Sequence, residues 1–115
     1  MERLAHTNTE EALVIGLSGE IIMDVVIELK AEIAPLIQNA SRKAVVLDLS
    51  GVAFLDSSGV GLFIGLRRLC EDEGKAFSIA NPSPPIRKLF DMLRLTDYFA
   101  VSATPVTSPG ATPSA

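Results

Sequence analysis

Short apolar runs rich in branched side chains recur along the chain. Residues 12–19, 44–50 and 76–80 are such runs, and each is typical of a β-strand. The run at 44–50 is nearly continuous in apolar character, which indicates a strand covered on both faces of a sheet. We therefore predict it as the central strand, ended by a turn at Ser50-Gly51.

The segments between these runs carry apolar residues at helical spacing. A first helix is predicted from about Asp24, a candidate N-cap, and Pro35 should kink it or end it early. A second helix is predicted to start at the cap candidates Asp56-Ser57-Ser58 and to continue to about residue 72. The faces expected to point inward are Val26, Leu29, Ile33 and Ile37 in the first helix, and Ile86, Leu89, Phe90 and Leu93 in a third.

The order of these elements predicts the fold class. Strands and helices alternate, which favours an α/β domain with a mixed or mainly parallel central sheet and about four helices packed on it. Residues 3–8 are expected as an edge strand, and residues 99–102 as a last short strand. We predict one domain over residues 1–102. Residues 103–115, composed of Ala, Thr, Pro, Val, Ser and Gly, are expected to form a disordered tail.

Composition narrows the classes of partner. Ten basic against 14 acidic side chains give a formal net charge of −4, which argues against nucleic acid. The apolar stretch at 60–66 is much shorter than the roughly 20 residues that a membrane span requires, so no membrane insertion is expected. The N-terminus lacks a secretory pattern, and the single Cys70, expected to be a small buried residue, allows no internal disulfide. A cytoplasmic protein is predicted.

Few residues can support catalysis. The only histidine is His6, in the predicted edge strand, so a Ser-His-Asp triad is not expected. Residue 56 is Asp, where a nucleophile elbow centred on Ser58 requires glycine. There is no phosphate-binding Gly-Lys-Ser/Thr motif, and one His and one Cys do not make a metal site. We therefore predict a protein that is not an enzyme and needs no cofactor or metal.

One segment has three consecutive polar side chains where a helix cap needs only one. Asp56, Ser57 and Ser58 place two hydroxyls at a predicted helix start, where backbone N–H groups lack partners and a phosphate would be stabilised. They are either simple helix caps or a modification site. Gly59 and Gly61 follow, and either let a partner's backbone approach or allow tight packing of helix on sheet.

This segment resembles a known family. Residues 45–59, with their Asp-Ser-Ser-Gly end, are similar to the central strand and switch turn of STAS domains, specifically bacterial anti-sigma factor antagonists. The likeness extends to residues 17–20, to Gly61-Leu62 and to residues 86–95.

The resemblance implies a compact domain that binds an anti-sigma factor, often a serine kinase, and so releases a sigma factor. It implies that the kinase phosphorylates Ser57, that a PP2C-type phosphatase reverses this, and that Ser58 stays unmodified. Asp56 would contribute to partner recognition.

A phosphate on Ser57 would add a charge of about −1.5 to −2 beside Asp56, on a surface expected to offer Val60 and Phe63 for contact. A partner that accepts the neutral hydroxyl should then bind less tightly. The fold should survive, because a phosphate is favourable at a helix N-terminus. We therefore predict a switch that changes binding and not folding.

The chain departs from the family in one place. The family has a Gly-Glu-Leu-Asp pattern before the first helix, whereas here Gly19-Glu20-Ile21-Ile22 ends apolar, and Asp24 comes two positions later. Ile21, Ile22 and Met23 are expected either to form an apolar contact patch or to be buried at the helix start. Ile21 and Asp24 are included among the candidate partner-binding residues.

Two other functions remain open at this point. One is a constitutive STAS subunit of a lipid-transport ATPase complex or a stress-signalling assembly, and the other is a nucleotide-binding STAS module. The sequence leaves the oligomeric state open.

Overall fold

The computed structural model describes residues 3–102, so the tail predicted at 103–115 lies outside the described residues. The predicted alternation of strands and helices is confirmed, with three helices over this range where about four were expected. The elements in chain order are β1 (Leu4–Asn8), β2 (Ala12–Ile21), α1 (Met23–Asn39), β3 (Ala44–Leu55), α2 (Ser57–Asp72), β4 (Ala76–Ala80) and α3 (Pro84–Met92).

The four strands form one mixed sheet in the order β1-β2-β3-β4. The edge strand β1 runs antiparallel to β2, while β2, β3 and β4 run parallel to one another. Parallel neighbours need a crossover connection, which α1 and α2 provide. The carboxyl ends of β2 and β3 therefore meet at one edge of the sheet, and both helices begin there.

An aromatic cluster closes the core on the helical side. Phe63 of α2, Phe90 of α3 and Phe99 are fully buried and pack edge to face, with centroids 5.2 to 6.5 Å apart. The segment that carries Phe99 is also attached to α2, because Nε of Arg67 donates to the Tyr98 carbonyl at 2.9 Å. The Arg67 guanidinium lies 4.1 Å from the centre of the Tyr98 ring.

Two predictions about the strands are wrong. No turn interrupts the chain at Ser50-Gly51, and β3 continues to Leu55 with register shifts against β2. The extension buries Val52 and Leu55, which explains why the strand is favoured over a turn. Residues 99–102 do not form a strand, and only Ser102 makes an isolated parallel bridge, to Ala80.

The helices also differ from expectation at their ends. Pro35 does not end α1 early, because the helix continues to Asn39 with the proline inside it. Position 35 is solvent-exposed, so the Ala31 carbonyl that lacks its helical partner faces water. Leu93, expected on the inward face, caps the C-terminus of α3 and is half exposed, because the helix stops at Met92.

No helix within residues 3–102 is long and apolar enough to cross a bilayer.

Cys70 is a buried residue of α2, as predicted. Burial raises the pKa of its thiol to about 11, and the nearby Lys75 charge lowers it only in part. Since the thiolate is the reactive form, both its burial and its raised pKa are expected to make Cys70 slow to react in the folded protein.

This predicts how the thiol reacts. At pH 8 a disulfide reagent such as DTNB should label Cys70 at least about a hundredfold more slowly in buffer than in denaturant, because both access and ionisation require unfolding. Labelling of the folded protein at the rate of a free thiol would contradict this picture. The experiment also measures how often the core opens.

Candidate functional site

The site lies at the sheet edge where α1 and α2 both begin. Ile22 follows β2 and precedes α1, and Asp56 follows β3 and precedes α2. Each helix start leaves backbone N–H groups without intrahelical acceptors. Because β2 and β3 are parallel neighbours, both sets of N–H groups are close to the same point.

The Asp56 carboxylate accepts hydrogen bonds from both helices. Oδ1 accepts the Gly59 N–H of α2 at 3.0 Å, and Oδ2 accepts the Met23 N–H of α1 at 3.2 Å. The Asp56 N–H also donates to the Ile21 carbonyl at 3.3 Å. We call this arrangement the Asp56 clamp; its carboxylate stabilises the positive ends of two helix dipoles at once.

The clamp accounts for the apolar residue at position 22. Ile22 is the N-cap of α1, and it has no side-chain acceptor to offer. The predicted cap, Asp24, is wrong: it is the second residue of the helix and is solvent-exposed. Asp56, which follows β3, therefore supplies the carboxylate that α1 lacks locally.

The two glycines of the motif have different environments. A Cβ on Gly59 would lie 2.2 Å from Cδ1 of Leu55 and 2.7 Å from the Ile21 carbonyl oxygen, so this glycine is required for internal packing. Gly61 is exposed, and a Cβ there would meet nothing within 4 Å. Of the two interpretations made from the sequence, packing applies to Gly59, and access from outside applies to Gly61.

The two serines occupy the first turn of α2. Ser57 is the first helical residue and is exposed, whereas Ser58 is half-buried. Among the side-chain hydrogen bonds of residues 3–102, none involves the Ser57 hydroxyl. Capping is performed by Asp56, so the Ser57 hydroxyl is free to be modified without loss of a cap.

Four candidate contact residues are not on the surface: Gly59, described above, and three residues with larger side chains. Val60 is 7% exposed, and Phe63 and Ile21 are fully buried. Val60 and Phe63 lie on the face of α2 that packs against the core, and Ile21 ends β2 beneath the clamp. The expected contact surface therefore excludes these side chains, while Asp24 and Gly61 are accessible.

Sequence reasoning missed the part that Met23 plays. Its backbone N–H joins α1 to a residue 33 positions away, and its side chain is 70% exposed. The sequence feature that points to this bond is Ile22, an N-cap residue without an acceptor in its side chain. A side-chain cap for α1 therefore has to come from another segment.

The site has no features of a metal centre or an enclosed substrate pocket. No group of three His, Cys, Asp or Glu side chains within residues 3–102 is arranged to hold a metal. A cavity of about 690 Å³ lies between β1 and α1, lined by residues such as Arg3, His6, Glu28 and Glu32, and Asp56 is not part of it. The exposed hydroxyl next to the clamp is that of Ser57, the first residue of α2.

Comparison with known proteins gives the family. Residues 4–102 match the family model described as "Mlab, STAS domain". The chain therefore belongs to the STAS domain family, as its resemblance implied. Within that family it is similar to proteins named anti-sigma factor antagonists.

The anti-sigma F factor antagonist of Lysinibacillus sphaericus is 38% identical over 82 residues, covering 71% of this chain and 70% of that protein. The anti-sigma-B factor antagonist of Staphylococcus aureus (strain COL) is 28% identical over 96 residues, covering 84% and 88%.

Solved structures agree with this placement. The anti-sigma factor antagonist SpoIIAA in its unphosphorylated form is 30% identical, with a TM-score of 0.72 over 87% of this chain and 88% of that one. The Bacillus cell fate determinant SpoIIAA in the phosphorylated form is also 30% identical, with a TM-score of 0.66 over 87% and 91%.

The clamp makes a prediction about stability that a double-mutant cycle can isolate. Proline suits the first position of a helix but has no N–H, so Met23→Pro removes only the α1 half of the clamp. We compare the free energy of unfolding of Met23→Pro with that of Met23→Ala. The difference between these two variants should be about 1 kcal/mol larger when Asp56 is present than in an Asp56→Ala background. The measurement is urea unfolding of the four variants.

Asp56→Ala alone should destabilise the protein by about 2 kcal/mol, because two helices lose a cap. An equal cost of Met23→Pro in both backgrounds would show that the bond to Asp56 contributes nothing.

Proposed function

We propose that this protein is an anti-sigma factor antagonist whose unphosphorylated form binds an anti-sigma factor and so releases a sigma factor. The anti-sigma factor is a serine kinase that phosphorylates Ser57 and thereby ends binding, and a PP2C-type phosphatase restores the active form. The observation that carries the proposal is the exposed Ser57 hydroxyl beside the Asp56 clamp, free of any capping duty. The protein acts by binding and not as an enzyme.

The names of similar proteins support the proposal. Relatives are named anti-sigma F and anti-sigma-B factor antagonists, and SpoIIAA has been solved in both unphosphorylated and phosphorylated forms. Because a similar protein of the same fold is known in a phosphorylated form, control of binding by a phosphate is a reasonable proposal for this chain. Ser57 is the candidate acceptor, since it is the more exposed of the two serines.

The effect of a phosphate follows from local electrostatics. The modification adds a charge of about −1.5 to −2 next to the Asp56 carboxylate. A partner in close contact with the hydroxyl then meets a dianion that must lose its water, which costs several kcal/mol or about a hundredfold in affinity. The same phosphate lies at a helix N-terminus, where it is favourable for folding.

The accessible neighbours of Ser57 are the candidate contacts for the partner. Asp56, Ser58, Gly61 and Asp24 all lie in the first turns of the two helices or immediately before them. Gly59 and Val60 contribute by holding the turn in place from inside.

The central experiment is a pull-down from lysate of the source cell in the presence of ADP or ATP. Wild-type, Ser57→Ala, Ser57→Gln and Ser57→Glu proteins serve as baits, and bound proteins are identified by mass spectrometry. We expect wild type and the Ala and Gln variants to retain an ATP-binding serine kinase that the Glu variant loses. The Gln variant is the matched control, because it has the size of Glu without the charge.

Thermal melting of all four baits completes the test. Ser57→Glu should melt within a few degrees of wild type, since the charge lies at a helix N-terminus. Loss of binding together with loss of the folded state would contradict a switch that acts on binding alone. Equal retention of the kinase by the Glu and Gln variants would contradict control by charge.

A second candidate function is a constitutive STAS subunit, for instance of a lipid-transport ATPase complex, in which Ser57 is never modified. The observation that favours it is that the matching family model is described as "Mlab" and not as an antagonist. If all four baits retain the same transporter or scaffold protein and no kinase, this candidate replaces the first.

The glycines give an independent prediction. Gly61→Ala should stabilise α2 by up to about 1 kcal/mol, because alanine favours helix and its Cβ meets nothing. If a partner approaches the backbone here, the same variant should bind the kinase about tenfold more weakly. The measurements are urea unfolding and calorimetric titration with the kinase.

Gly65→Ala is the matched control, since a Cβ at Gly65 also meets nothing within 4 Å and the position is one turn further from Ser57. It should stabilise the helix and leave affinity unchanged. Gly59→Ala should instead destabilise the fold, because its Cβ would clash with Leu55 and the Ile21 carbonyl. Unchanged binding by Gly61→Ala would remove Gly61 from the proposed contact surface.

A further inference from the structure

Two exposed apolar side chains lie one helical turn apart on α1. Met23 is 70% exposed and Ile27 is 81% exposed. The inward face of the helix is formed by Leu29, Ile33 and Ile37, so the exposed pair contributes nothing to the core. Residues four apart in a helix are neighbours on its surface. We call this pair the α1 ridge.

The ridge begins at the Asp56 clamp. The Met23 N–H donates to Oδ2 of Asp56 at 3.2 Å, and Ser57 is the next residue along the chain. α1 and α2 are packed against each other, so the ridge cannot move independently of the start of α2. Met23 is thus bound through its backbone to the residue that directly precedes Ser57, so the ridge borders a surface centred on Ser57.

The carboxylates beside the ridge argue against a second copy of this chain as its partner. Asp24 and Glu28, which follow Met23 and Ile27 in the chain, are exposed carboxylates. A second copy docked through this face would bring these like charges together, on chains that each carry a net charge of −4. A different protein, with an apolar cleft opposite the ridge, avoids that repulsion.

We propose that the α1 ridge is the second half of the surface that docks on the anti-sigma factor, with Met23 and Ile27 inserting into an apolar cleft of that partner. This inference rests on the proposed function and adds residues to its contact surface. The Asp56 clamp joins the two halves, because Asp56 binds the Met23 N–H and directly precedes Ser57.

The ridge also gives a physical reason for the effect of phosphorylation. An apolar contact around Ser57 excludes water, and a dianion placed at its border cannot keep its hydration. The neutral hydroxyl is tolerated there at much lower cost. The ridge thus makes binding sensitive to a charge on Ser57 even if no carboxylate of the partner faces it.

The test uses the purified anti-sigma factor identified in the pull-down and calorimetric titration with full-length variants. Met23→Gln and Ile27→Gln should each weaken binding about tenfold, because each removes an apolar contact of interface size. Met92→Gln is the matched control, since Met92 is 71% exposed at the last position of α3, away from the clamp. It should bind within about twofold of wild type.

Melting temperatures of the variants should stay within a few degrees of wild type, because all three side chains are exposed. Wild-type affinity of both ridge variants would overturn the ridge proposal while leaving the Ser57 switch intact. Failure of the wild-type protein to bind any anti-sigma factor would overturn both. If the ridge variants change only the sedimentation of the isolated protein, then a second copy is the occupant and the proposal is wrong.

Discussion

A single carboxylate that accepts from two helix N-termini is the constraint on which the rest of this structure depends. Asp56 binds the first N–H of α1 and the third N–H of α2. Both helices follow parallel strands and begin at one sheet edge, so unpaired donors are concentrated there by the topology. One acceptor stabilises both, and no residue of α1 itself has to do so.

The neighbouring residues are adapted to this arrangement. β3 extends to Leu55, with register shifts against β2, and so brings Asp56 to the start of α1. Gly59 allows the first turn of α2 to lie against the Ile21 carbonyl, where any Cβ would clash. With capping assigned to Asp56 and close packing to Gly59, Ser57 is left exposed with no structural role. On the proposed function, a charge added at that position is expected to leave the fold intact.

Much of the fold could be predicted from local pattern. β4 and the start of α2 were found from apolar runs and cap residues, and the resemblance identified the family. The clamp was not predictable, because it joins residues 33 positions apart. Nearness to Ser57 in sequence wrongly predicts Val60 and Phe63 as surface residues. At about 100° per residue, Phe63 lies roughly 120° around the helix from Ser57 and faces the core. Val60 lies only about 60° from Ser57, and its burial follows from packing that the spacing alone does not reveal.

The Met23–Asp56 bond has a consequence for recognition in the cell. The surface around Ser57 is assembled from two segments that only the folded sheet brings together, so a short peptide spanning Ser57 does not reproduce it. An enzyme that uses this surface reads a discontinuous epitope and not a linear motif. If Ser57 is modified as proposed, unfolded chains would not be recognised, because they carry the serine without the paired helix starts.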